Sequence, residues 1–239
     1  MVDIRKTPSL QHMAALTADS VDATVRNLER FDAAKIKISL NPGRRLFKPL
    51  MEAQDLEWAL RQLQREKAHN ILPNIGLLEA FAPYAEDKRV GWFRECEKHF
   101  FPIGPGVAIP VQPTGFWNEG GVLKVLWVQA WKGRTLDPFQ RALFNTILRE
   151  TFFVGDFKGS PLEWLDLRQI SKGRGREIEV LNGDALGFVS REELTEILRI
   201  FLTAFEVYAA RKEARKAAEK GSRRPRDEGP NLFDRSPED

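Results

Sequence analysis

Apolar residues return every three to four positions near the N-terminus. Val21, Val25, Leu28 and Phe31 fall on one face of a helix that Thr17 or Ser20 can cap. A second amphipathic helix is predicted from about Met51 to Lys67, with Leu56, Leu60 and Leu63 inward and Arg61, Arg65, Glu66 and Lys67 outward. Pro73 suits the first turn of a third helix, which carries Ile75, Leu78 and Phe81 until Pro83 breaks or ends it. Between the first two helices, Ile36, Ile38 and Leu40 alternate up to an Asn41-Pro42-Gly43 turn, the pattern of a short strand or extended connector. Asp87 to Phe101 is predicted as a further helix.

The texture changes from Phe101 onward, where glycines and prolines are interspersed among β-favouring residues. Two strands joined by a turn around Asn118 to Gly121 are predicted. Pro110 and Pro113 cannot donate to a ladder and place the first of these strands at an edge or a bulge. A helix near 138–151 follows: Asp137 caps it, Pro138 fits its first position, Gln140 its third, and Phe139, Leu143, Phe144, Ile147 and Leu148 form its apolar face. Phe152 to Phe157, Pro161 to Leu167 and Arg176 to Leu181 are predicted strands. Ser190 and Glu193 make a capping box for a final helix, whose stripe of Leu194, Leu198, Phe201, Phe205 and Tyr208 gives way to a charged stretch ending near Gly221. The expected fold is α+β. Residues 1–100 form a mainly helical N-terminal region, 101–220 a small mixed sheet with a covering helix and a long closing helix, and 221–239 a disordered charged tail.

Composition narrows the class. The chain has 239 residues, 42% of them hydrophobic and 30% charged, the balance of an ordinary globular protein. Arg5-Lys6 is followed by no apolar run of signal-peptide length, and no stretch reaches the roughly 18 apolar residues of a membrane span. The single cysteine, Cys96, rules out an internal disulfide framework, so a cytoplasmic location and no membrane association are expected. A net charge of +3 demands no polyanionic partner, but its distribution invites one. Arg44 and Arg45, Lys132 and Arg134, and Lys172, Arg174 and Arg176 cluster in predicted loops, where phosphate contacts are made. Most of the six tryptophans are expected in the core, where their area is best used. Trp117 and Trp131, near these cations, are candidate stacking surfaces for bases.

The motifs of several enzyme classes are missing: there is no G-x-S-x-G elbow, no Walker loop and no G-x-G-x-x-G fingerprint. Cys96 and His99 have the spacing of half a zinc site, but only His12 and His69 remain to complete it, and neither is suitably spaced. No metal site, cofactor or catalytic residue is therefore expected. The predicted order of strand, hairpin, strand, helix and strand resembles the core of the restriction-endonuclease-like nucleases. That resemblance implies a carboxylate two positions before a lysine on one strand face, but Ala130 stands there relative to Lys132. A metal-dependent nuclease would instead need Glu119, Asp156, Glu163 or Asp166 to converge on Lys132. In the tail, Leu232 and Phe233 resemble the short Leu-Phe motifs that bind bacterial sliding clamps, without the leading glutamine, since Gly229 or Pro230 occupies that place. The sequence thus points to a non-enzymatic binding or accessory protein whose partner is DNA or RNA. The alternatives are the divergent nuclease and a protein-interaction subunit that uses the C-terminal helix and tail.

Overall fold

The computed structural model describes residues 7–34, 39–66, 71–88, 90–133, 135–169 and 175–222, the last four of these by backbone alone. The helices α1 (Leu10–Leu16), α2 (Val21–Ala33), α3 (Asn41–Arg44), α4 (Phe47–Ala53), α5 (Leu56–Arg65) and α6 (Ile71–Glu86) come first. The strands β1 (Phe93–Arg94), β2 (His99–Gly104), β3 (Val107–Val111), β4 (Gly115–Glu119) and β5 (Val122–Gln129) follow. The chain closes with α7 (Pro138–Phe152), β6 (Leu162–Asp166), β7 (Glu179–Asn182) and α8 (Arg191–Ser222). The α+β class is the one read from the sequence.

One five-stranded mixed sheet, in the order β1-β4-β5-β6-β7, organises the described residues, and β2 and β3 form a separate hairpin. The β5–β6 pair is parallel and spans the α7 crossover, whereas the other ladders are antiparallel. Side chains alternate across the sheet. Val125, Trp127, Leu162 and Trp164 enter a core shared with α1, α2, α7, α8 and the β2–β3 hairpin, while Trp117, Leu126, Val128 and Leu165 enter one shared with α4, α5 and α6. The sheet is therefore the middle of three layers, and each core combines residues from before and after residue 100. The ring of Phe144 on α7 lies edge-on to Trp127 at 4.6 Å and to Trp164 at 4.5 Å, which seats the crossover helix over the two parallel strands.

The caps read from the sequence are present where they were decisive. Asp137 and Gln140 close a reciprocal box at the start of α7, Ser190 and Glu193 do so for α8, and Ser20 accepts from Ala23 N–H at α2. Elsewhere local geometry overrides periodicity. The predicted helix Met51 to Lys67 is two helices, because Gln54 adopts a left-handed conformation at φ 55° and Asp55 caps a fresh start by accepting from Trp58 N–H. Asn41-Pro42-Gly43 opens the short α3 instead of turning a strand, and Ile36 and Ile38 lie outside the described residues. Pro83 is carried within α6. The helix expected over Asp87 to Phe101 is absent, replaced by β1 and the start of β2. Phe152 to Phe157 is not a strand: it is the end of α7 and a 3-10 turn at Gly155–Phe157. Pro110 sits in β3, which among the described strands pairs with β2 alone. The tail from 223 lies outside the described residues.

Two glycines test the packing from opposite sides. A Cβ on Gly115 would lie 2.1 Å from Phe93 Cζ and 2.7 Å from the Arg94 carbonyl, whereas one on Gly76, inside α6, meets nothing within 4 Å. Gly115→Ala is expected to cost about 1–3 kcal/mol in urea unfolding by forcing β1 off the sheet. Gly76→Ala is expected to gain about 0.4–1 kcal/mol in the same experiment by restricting the unfolded chain.

Candidate anion-binding site

At the C-terminal end of β5, the chain brings polar side chains from four separate segments around a cavity of about 280 Å³. Its lining is Ser9 and Gln11 from the start of the chain, Arg44 from α3, Lys98, Pro110, Gln112 and Thr114 from the hairpin region, and Trp127 and Val128 from β5. Arg44 reaches it because α3 packs closely on α6. The Gly43 N–H donates to the buried Asn74 Oδ1 at 2.9 Å, and a Cβ on Gly43 would lie 3.0 Å from that same oxygen. The Asn-Pro-Gly sequence thus supplies both the helix start and the clearance that set the guanidinium in place.

Internal hydrogen bonds occupy several acceptors of this lining. Gln11 Oε1 accepts the Trp127 indole N–H at 3.2 Å, leaving its amide N–H groups available. Thr114 Oγ1 accepts the Val128 N–H at 2.8 Å, leaving its own O–H available. Gln112 Nε2 donates to the Cys96 carbonyl at 3.0 Å. Arg44 Nε is buried without a hydrogen-bond partner, and among the described residues no carboxylate lines the cavity. Two cations and a set of free donors therefore face one space, an arrangement that can accept an anion.

Burial lowers the Arg44 pKa, and its charge helps to lower two neighbours. Burial first and Arg44 second push the His12 imidazole down to about 4, so it is neutral at physiological pH. Arg176 is lowered by burial and then by Arg44. His12 Nδ1 lies 2.8 Å from Ser9 Oγ, and its ring stands against Phe31 and Trp131, with centroids 4.9 and 5.2 Å apart.

Not every residue singled out by the sequence belongs here. Arg44 lines the cavity, Arg45 is exposed beside it in the chain, and Lys132 is exposed on a short bridge to Gln169. Arg176 is tied down, donating from Nη1 to the Leu167 carbonyl at 2.7 Å and the Ala130 carbonyl at 3.5 Å, so it clamps the ends of the two parallel strands. Trp117 is corrected: it is fully buried against Phe93 and has no ring face to offer a base. Trp131 is half-buried, and His12 stands against its ring. Arg134, Lys172, Arg174, Leu232 and Phe233 lie outside the described residues. Sequence reasoning missed Ser9, Gln11, Lys98, Gln112 and Thr114, which are isolated polar residues without a spacing signal; only the folded chain brings them together.

The acidic residues do not meet at Lys132. Glu119 and Glu163 instead flank Lys124, which pairs with both, and Glu163 also takes the Lys88 ammonium at 2.9 Å and the Tyr84 O–H at 2.7 Å. This network joins α6 to the sheet with its charges matched. Asp166 projects from the opposite face of β6, three residues on, and Asp156 is exposed in the 3-10 turn. Among the described residues no three His, Cys, Asp or Glu side chains gather to hold a metal. Cys96 is buried and its thiol is pushed up to about 12, while His99 is exposed, its ring edge-on to Phe152. A larger, open groove of about 740 Å³ runs along α8, but its cations are already engaged: Lys212 with Asp32 and Lys216 with Glu213.

Asp166 and Gln129 are register partners in the parallel ladder, so their side chains project to one face. Both are buried, and neither oxygen of Asp166 nor either polar atom of Gln129 has a hydrogen bond. Burial raises the Asp166 pKa, and the Thr135 hydroxyl and Arg168 offset this only in part. A carboxyl whose folded pKa lies above its unfolded value contributes stability in acid, below the unfolded pKa, and loses it as pH rises through the folded pKa. Asp166→Asn removes the buried charge and supplies N–H donors beside the Gln129 carbonyl. The substitution is expected to stabilise the protein by about 1 kcal/mol or more at neutral pH, with the gain vanishing in acid; urea unfolding across a pH series reads both.

In comparisons with known proteins, no family model matches the chain, and no curated protein or solved structure matches it.

Proposed function

We propose that this protein is a non-enzymatic nucleic-acid-binding protein that seats a phosphate group of DNA or RNA in the cavity at the end of β5. The observation that carries this reading is the lining itself, with Arg44 and Lys98, available donors on Gln11 and Thr114, and no carboxylate among the described residues. Unmatched positive charge, partly desolvated, is costly to the free protein and is offset when an anion enters. The charge around the cavity extends the reading from an anion to a polyanion. Lys132 and Arg176 sit at the same end of the sheet, joined through bridges to Gln169.

Arg44→Ala separates a binding role from a structural one. Because Arg44 Nε is buried without a partner, its removal is expected to leave the thermal midpoint unchanged or higher, while nucleic-acid affinity falls about tenfold or more. The slope of log affinity against log salt is expected to shrink by about 1, as for loss of one phosphate contact. Arg61→Ala, an exposed pair with Glu57 on α5, is the matched control and should change neither. Labelled single- and double-stranded DNA and RNA, titrated across a salt series with and without Mg²⁺, supply the readout, and the nucleic acid should be recovered intact. Salt-insensitive binding, or none at low salt, overturns the reading.

A further inference from the structure

We infer that the group this cavity takes is a phosphate monoester at the end of a nucleic-acid strand, in preference to a diester within it. The inference rests on the nucleic-acid reading above and adds the ligand's charge and position. Among the described residues Arg44 and Lys98 are the cationic lining residues, and the other described lining side chains are neutral. His12, which contacts Ser9 from behind the lining, is held neutral and adds no third charge at physiological pH. A phosphate monoester carries a charge of about −1.5 to −2 at neutral pH and presents three terminal oxygens. A backbone diester carries one negative charge and presents two such oxygens, so it uses fewer of the donors that line the cavity.

The donors fit the same group. Arg44 brings its guanidinium, Lys98 an ammonium, Gln11 an amide N–H and Thr114 a hydroxyl, and they come from four separated stretches of chain that wall the cavity. Walls from four segments make a socket into which a strand end can insert. Phosphate held this way is gripped as a point group, with no base edge being read.

The test uses short single-stranded oligonucleotides labelled on an internal base, identical except for a 5′-phosphate, a 3′-phosphate or two hydroxyl ends, titrated into the full chain at fixed salt. One phosphorylated end is expected to bind at least about tenfold tighter than the hydroxyl-ended strand. Arg44→Ala should erase that preference while leaving weaker, salt-sensitive binding of all three. Lys98→Ala, at an exposed position, should reduce the preference without altering the fold. Equal affinity for all three strands overturns the end preference and leaves the nucleic-acid reading standing. Failure of every strand to bind overturns that reading as well.

Discussion

Burial of β5 on both faces is the constraint from which the rest follows. From Val125 to Gln129 every residue of this strand is shielded from solvent, with Val125 and Trp127 in one core and Leu126 and Val128 in the other. Such a strand needs a helical layer on each side, and the chain provides α4 to α6 for one face and α1, α2, α7 and α8 for the other. The parallel pairing with β6 adds a second demand, because parallel neighbours need a long crossover. The capped helix α7 fills that role, and its Phe144 fits between Trp127 and Trp164.

Where a doubly covered sheet ends, its last polar groups must find partners or go without, and the molecule treats its polar groups in two ways. Glu119, Lys124, Glu163, Lys88 and Tyr84 are matched charge for charge and bond for bond. Buried polar atoms without a close hydrogen bond occur on Gln129 and Asp166 at the carboxyl ends of β5 and β6 and on Arg44, and also on Trp117, Asn145, Arg149 and Trp164 elsewhere in the fold. Buried polar groups are normally paired, and unpaired ones concentrate where a ligand or a switch completes them. In open sheets the crevice outside the carboxyl ends of parallel strands is the usual place for a ligand. Of these residues Arg44 lines the cavity at the β5 end, which is why the anion site is proposed there.

Much of the fold was legible in the sequence because local chemistry decided it. Asp137 with Gln140 and Ser190 with Glu193 announce helix starts, and the unbroken apolar run Val125 to Val128 announces a packed strand. The failures have physical causes. Gln54 breaks a helix whose apolar spacing runs on unbroken, since a left-handed residue followed by a capping aspartate outweighs periodicity. The segment from Asp87 to Phe101 reads as a helix, but pairing of Phe93 with Trp117 draws it into the sheet. The site was legible only at Arg44. Its other members are single polar residues brought together by long-range packing, such as Gln11 meeting Trp127, which local patterns do not encode.

The central claim is that unsatisfied donors at the end of β5 await an anion. Titration of inorganic phosphate into the ¹⁵N-labelled protein, followed through the arginine Nε–H and tryptophan indole N–H resonances, tests it most directly. The account predicts saturable shifts at Arg44 and at Trp127, whose indole is held by the lining residue Gln11, with the core indole of Trp117 unmoved. No saturable shift at Arg44, or small shifts spread evenly over the exposed arginines, would contradict it.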